Sequence, residues 1–154
     1  EIERRNVEHK IGAVGFTMSE ENLMRILAHP LVMVGTDAHL EVFGVRATHP
    51  RNYGTYPRVL GKYVREEGII SLGEAVKKMT SMPAERYALR DRGWLRPGCF
   101  ADAVIFDPAT VADTATFANA HQYPVGIPYV LVNGQVAVDN EVTSAGHHGR
   151  VLRR

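Results

Sequence analysis

Residues 93–108, GWLRPGCFADAVIFDP, constrain the fold of this chain more than any other stretch. Pro97 presets φ for the first position of a turn, and Gly98 accepts the positive φ of the second. The run Ala103, Val104, Ile105 and Phe106 then predicts a short strand buried on both faces, closed by Asp107-Pro108. Further on, Tyr129–Val132 and Val136–Val138 flank Asn133-Gly134, a pair suited to the two positive φ values of a type I′ turn, so a β-hairpin is expected there. Beyond Gly93 short strands therefore take over, with TVADTATFANAHQYPVGIP between them as a polar excursion of no strong period.

The chain before Gly93 has a helical period instead. Ser19 is an N-cap followed by Glu20 and Glu21, and a helix is expected to about His29, with Leu23, Ile26 and Leu27 inward and Pro30 as its stop. Ile11–Phe16 and Leu31–Val34 are short apolar runs on either side of it. Strand, helix, strand in that order is a βαβ unit, which implies a parallel, covered sheet. Ala38–Tyr56 carries no sustained period and reads as a long loop. Pro57 suits the first turn of a helix reaching about Glu67, Ser71 with Glu74 forms a capping box, and Pro83–Tyr87 makes one further helical turn. The fold class is α/β, with a boundary between residues 1–92 and 93–154.

Composition narrows the functions. Lys and Arg number 18 against 17 Asp and Glu, too even a balance for a nucleic-acid or anionic-membrane surface, and the Arg4-Arg5 and Arg153-Arg154 pairs read as solvated ends. No apolar run approaches a membrane span, and the first residues lack a signal-peptide pattern. The single cysteine, Cys99, excludes an internal disulfide and fits a reducing, cytoplasmic compartment as a small gap-filler. Neither nucleic acid nor membrane is expected as a partner. The chain begins without Met, which points to a piece of something longer.

Asp37 is the first candidate for chemistry, because a carboxylate just past the C-terminal end of a parallel strand lies on the face where β/α barrels build their sites. The alternative is an Asp that caps a turn. His49 and Arg51 follow in the loop. His49 is either a group at the site mouth or a loop histidine bonded to backbone, and Arg51 and Arg58 suit a substrate carboxylate, which guanidinium grips with two N–H groups, or are structural. His39 is a weaker ligand candidate. Asp102 and Asp107 sit in turn contexts, and His147-His148 lacks the spacing that makes ligands converge, reading as solvated tail.

The motifs LVMVGTDA, HPRNYGTYPRVLGKYVREEGIISLGEAVKKMTSMPAERYALRDRG and ATFANAHQYPVGIPYVLVNGQVAVDNE, with ADAVIFDP, resemble the N-acyl-D-amino-acid deacylase group of the metal-dependent amidohydrolase superfamily from about residue 16 to the end. That resemblance implies the C-terminal portion of a TIM-type (β/α)8 barrel over residues 1–92, followed by part of a small β-sandwich over 93–154. It implies hydrolysis of the amide of an N-acyl-D-amino acid, with Zn2+ as cofactor, Asp37 as proton carrier and metal-site residue, and His49 and Arg51 near the substrate. The superfamily's upstream His-x-His is absent, and the family's cysteine ligand belongs to an early barrel strand, so Cys99 does not inherit its role. Two strands cannot close a barrel of eight. A fragment is therefore expected, one that pairs with itself or with a complementing chain. The alternatives are a hydantoinase- or dihydropyrimidinase-like cyclic amidase and a non-catalytic association module.

Overall fold

The computed structural model describes residues 14–45 and 48–152. Its elements are α1 (Glu20–Ala28), α2 (Arg51–Arg58), a π-helical segment (Val59–Glu66), α3 (Leu72–Met79), α4 (Ser81–Arg86) and four strands, β1 (Ala103–Ile105), β2 (Tyr129–Val132), β3 (Gln135–Asp139) and β4 (Val142–Thr143). The strands form one antiparallel sheet in chain order. The Arg4-Arg5 and Arg153-Arg154 pairs and Ile11–Ala13 lie outside the described residues.

Local chemistry explains the ends of the elements. Ser19 accepts the Asn22 amide at the start of α1. At α3, Ser71 Oγ accepts the Glu74 N–H at 3.2 Å while the Glu74 carboxylate accepts the Ser71 N–H at 2.9 Å, the reciprocal capping box expected. Cys99 N–H donates to the Arg96 carbonyl at 3.2 Å, closing the turn over Pro97-Gly98. Asn133 and Gly134 have φ of 51° and 80°, as the hairpin between β2 and β3 requires.

Four expectations need correction. Leu31–Val34 is not a strand, because among the described residues it has no ladder partner. Its backbone turns elsewhere, with Val34 N–H donating to the Lys78 carbonyl at 3.2 Å and Val32 N–H to that of His29 at 3.1 Å. Ile26 points out, and Met24 packs inward beside Leu23 and Leu27. Pro57 lies inside a helix rather than at its first turn, since the Asn52 and Gly54 amides already close turns onto His49 and Pro50 and start α2 at Arg51. Pro57 has no N–H for the next rung, and the chain beyond it winds in π register, ending with Glu67 N–H on the Lys62 carbonyl five residues back at 2.8 Å. Finally, β1 is an edge strand whose Val104 and Ile105 are each 54% exposed, not a strand covered on both faces.

The core joins both halves. Leu27, Val59, Leu60, Tyr63, Ile70 and Ala75 pack around Val111, which is fully buried, and Phe106 and Ile127 reach in from the β half. Val111 sits between two glycines. A Cβ on Gly61 would lie 2.8 Å from the Val111 carbonyl oxygen, and one on Gly126 2.6 Å from its nitrogen. Arg65 fastens the same spot by donating to the Val111 carbonyl at 2.6 Å. A second joint is Arg92, nearly buried, which binds the Asp102 carboxylate and the Asn133 Oδ1 (2.6 Å), while Asn133 N–H donates to Asp102 at 2.8 Å. Burial alone would raise the Asp102 pKa, but the Asn133 amide and Arg92 together hold it below its usual 3.8.

Two glycines are expected to respond with opposite sign. Gly61→Ala is expected to cost about 1–3 kcal/mol through overpacking against Val111. Gly73→Ala, in α3 with nothing within 4 Å of the added Cβ, is expected to gain about 0.5–1 kcal/mol. Urea titration of both variants gives the two signs. The lowered Asp102 pKa contributes stability that is present above the unfolded value and lost as pH falls through the folded one. Below about pH 4 the stability of the wild type should therefore fall more steeply than that of Asp102→Asn, measured by denaturant midpoints across pH.

Candidate active site

The segment leaving α1 and the start of α2 bring the expected residues to one place. Asp37 Oδ2 lies 3.2 Å from the Arg51 guanidinium, with the carboxylate largely exposed and the arginine half-buried. His49 precedes α2, and its ring Nδ1 accepts the Arg51 N–H at 3.0 Å. That bond requires a neutral ring with its proton on Nε2. Burial first, and the Arg51 charge second, push the His49 pKa below its usual 6.5, so the ring is neutral at pH 7. One Arg51 nitrogen, Nε, is buried without an acceptor. A buried donor left unpaired is costly.

His49 and Arg51 line a cleft of about 630 Å³, whereas Asp37 is not among its lining residues and reaches it only through its pairing with Arg51. Its apolar side is made by Ile26, Leu27, Val32, Met33 and Val34, and His49, Arg51, Arg58 and Asp113 supply its polar groups. Thr36 and Thr55 hydroxyls meet at 3.0 Å, tying the Asp37 segment to α2. Arg58 is engaged, not free for substrate. It donates to Asp113 at 3.1 Å and lies over the Tyr63 ring, and these partners outweigh burial to raise its pKa. Glu20 bonds both Lys62 and Tyr63, and the Lys62 bond chiefly lowers its pKa.

The other candidates stand apart. The His39 backbone N–H donates to Asn52 Oδ1 at 3.0 Å. Asp107 caps its own turn through the Ala109 amide at 2.9 Å and the Thr110 hydroxyl at 3.0 Å. His148 Nε2 meets Ser144 Oγ at 3.0 Å and its carbonyl accepts from Asn133 Nδ2 at 2.6 Å, so this stretch docks on the hairpin rather than trailing in solvent. Cys99 is half-buried and free. No group of three or more His, Cys, Asp or Glu converges to hold a metal ion among the described residues.

Sequence reasoning missed a second cluster, made by the loop before α2 and the HQYP segment. His121 Nδ1 lies 2.8 Å from the Tyr53 hydroxyl and accepts the Gly44 N–H at 3.1 Å, and Phe43 stacks on Tyr123 with ring centroids 4.9 Å apart. The HQYP segment was visible as a motif. Its partners, 68 and 77 residues away, were not.

Comparison with known proteins places this geometry in a class. A D-aminoacylase structure concerned with the functional role of its binuclear metal center superposes with a TM-score of 0.81 at 45% identity, over 89% of this chain and 28% of that one. An N-acyl-D-glutamate deacylase from Bordetella bronchiseptica, complexed with zinc and a phosphonate mimic of the tetrahedral intermediate, superposes at 0.79 with 43% identity over the same shares. The fold is thus that of the TIM-barrel-type amidohydrolases. The family model described as "Amidohydrolase family" matches residues 3–138, and the chain belongs to that family. Among curated relatives, a D-aminoacylase of Alcaligenes xylosoxydans xylosoxydans is 47% identical over 93% of this chain and 29% of its own length. An N-acyl-D-aspartate deacylase of the same organism is 45% identical over 92% of this chain and 28% of its own length. The chain therefore spans less than a third of the relatives it matches. No helix among the described residues is long and apolar enough to cross a membrane.

The His49 geometry makes a prediction. In an NMR titration the His49 ring should protonate below pH 6.5, and Arg51→Met should move that midpoint upward, because removing a neighbouring cation favours the imidazolium.

Proposed function

We propose that these residues are the C-terminal part of a zinc-dependent amidohydrolase that cleaves the amide bond of N-acyl-D-amino acids, releasing a carboxylate and a D-amino acid. The observation that carries this reading is the 43–47% identity, over 92–93% of the chain, to three relatives that are all D-amino-acid deacylases. Residues 1–92 belong, in this reading, to the last strands and helices of the barrel, and 93–154 to C-terminal strands of the β-sandwich. The lone Cys99 keeps the cytoplasm as the proposed compartment.

Zinc is bound by nitrogen, sulfur and carboxylate ligands converging in a tetrahedron. The described residues do not fit it by themselves: Asp37 is paired with Arg51, and no group of three or more His, Cys, Asp or Glu converges among them. The metal is therefore assigned to the complete protein, with Asp37 as the contribution of this chain to its surroundings. The role proposed for the Asp37 carboxylate is to take the proton of the attacking water and deliver it to the leaving nitrogen. Arg51, which lines the cleft and has Nη2 on Asp37, is suited to hold the substrate carboxylate while orienting Asp37. His49 holds the first turn of α2, and so Arg51, in place.

In the stretch before α2, Phe16, Met18, Leu31, Leu40 and Val42 are each at least 70% exposed. Apolar surface of this extent supports a covering partner, either the rest of a longer chain or a second copy. In the complete protein, Asp37→Asn is expected to lower kcat for N-acetyl-D-methionine by on the order of 10²–10⁴-fold with an unchanged circular dichroism spectrum. Retained turnover in that variant would remove Asp37 from the chemistry, and hydrolysis confined to ring amides would replace the substrate class.

A further inference from the structure

Among the described residues Lys78 is the one lysine buried in the core, 4% exposed, and none of the described carboxylates forms an ion pair with it. An ammonium is expensive to bury unless its N–H groups find acceptors. Here they find backbone. Nζ donates to the His29 carbonyl at 2.6 Å and to the Val32 carbonyl at 2.9 Å, just past the C-terminal end of α1, where the helix dipole favours a cation. The Lys78 main chain holds the same segment from its other side, since the carbonyl accepts the Val34 N–H at 3.2 Å.

Three bonds from one residue thus fix positions 29, 32 and 34. The next contacts along the segment are Thr36 to Thr55 and Asp37 to Arg51. Residues 29–37 carry no helix or strand, so no ladder among the described residues sets their path. Charge and reach explain the choice of residue: a long cationic side chain on α3 spans to the carbonyls of His29, the residue capping α1, and of Val32 beyond it.

From this arrangement we infer that Lys78 is a positioning residue for catalysis, setting where Asp37 stands through the segment that carries it. The inference deepens the deacylase reading and rests on it for its kinetic consequence. Lys78 touches neither Asp37 nor Arg51, and acts only through backbone.

The test uses the complete protein with Lys78→Met and Lys78→Arg, and reads two things. Hydrogen exchange at the Val32 and Val34 amides should speed by at least about tenfold in Lys78→Met, while the Ala84 amide in α4 keeps its protection and shows that the fold persists. With N-acetyl-D-methionine as substrate, kcat should fall by on the order of 10–100-fold while KM stays within about twofold, because misplacing a reacting group costs turnover more than binding. Lys78→Arg, which keeps the cation, should recover most of both.

Unchanged exchange at Val32 and Val34, or a kcat equal to wild type in folded Lys78→Met, overturns the proposal. So does a loss that Lys78→Arg fails to recover. If the wild type does not cleave N-acyl-D-amino acids but the exchange responds as expected, the deacylase reading fails and the hold on residues 29–34 stands. Should Lys78→Met not fold, Lys78→Gln, which retains an N–H donor, carries the same comparison; failure of both to fold makes Lys78 a purely structural residue and ends the positioning claim.

Discussion

The seating of Val111 between Gly61 and Gly126 is the contact on which the rest of the structure depends. Each half contributes one glycine, and at both the added Cβ would come closer to Val111 backbone than real contacts allow. That closeness lets Arg65 reach the Val111 carbonyl and lets Val59, Leu60 and Tyr63 close over the valine. Burying a side chain of this size contributes roughly 1.5–3 kcal/mol, yet its larger effect is geometric. It sets the distance between the helices and the segment running from β1 to β2, and Asp113, two residues beyond Val111, is thereby delivered to Arg58 beside the cleft.

The π-helical stretch carries that constraint toward the site. Pro57 interrupts the α-helical rungs, and the wider register that follows presents Val59, Leu60, Gly61 and Tyr63 together to the core. On the other side of Pro57, α2 points Arg51 and Thr55 at the segment holding Thr36 and Asp37. One continuous helical stretch thus packs with its second half and orients side chains with its first. Seen this way, His49 is a support for α2 before it is anything else, because its ring is occupied by the Arg51 amide.

Much of the local structure could be read from residue types. Ser19, Ser71 with Glu74, Pro97-Gly98 and Asn133-Gly134 each act within about three positions of themselves, and each does in the structure what its chemistry implies. The family was legible too, from segments such as HQYP and ADAVIFDP, and the match over residues 3–138 agrees with it. Leu31–Val34 shows where such reading stops. Its apolar, β-favouring composition is compatible with a strand, but a strand also needs a neighbour, and composition does not supply one. The same limit applies to Val104 and Ile105, whose burial depends on what packs over an edge strand.

By itself, then, the sequence determined the caps, the turns, the hairpin and the family, because those depend on bonds between near neighbours or on motifs of contiguous residues. It also marked Asp37, His49 and Arg51 as one neighbourhood, within fifteen residues of one another. Only the tertiary structure decided that Arg51 faces Asp37, that Lys78 grips the carbonyls of His29 and Val32, and that His121 meets Tyr53. Contacts across such separations leave no period or composition in the chain. They arise when buried apolar surface, above all at Val111, brings the segments together, and the polar groups then satisfy one another where they meet.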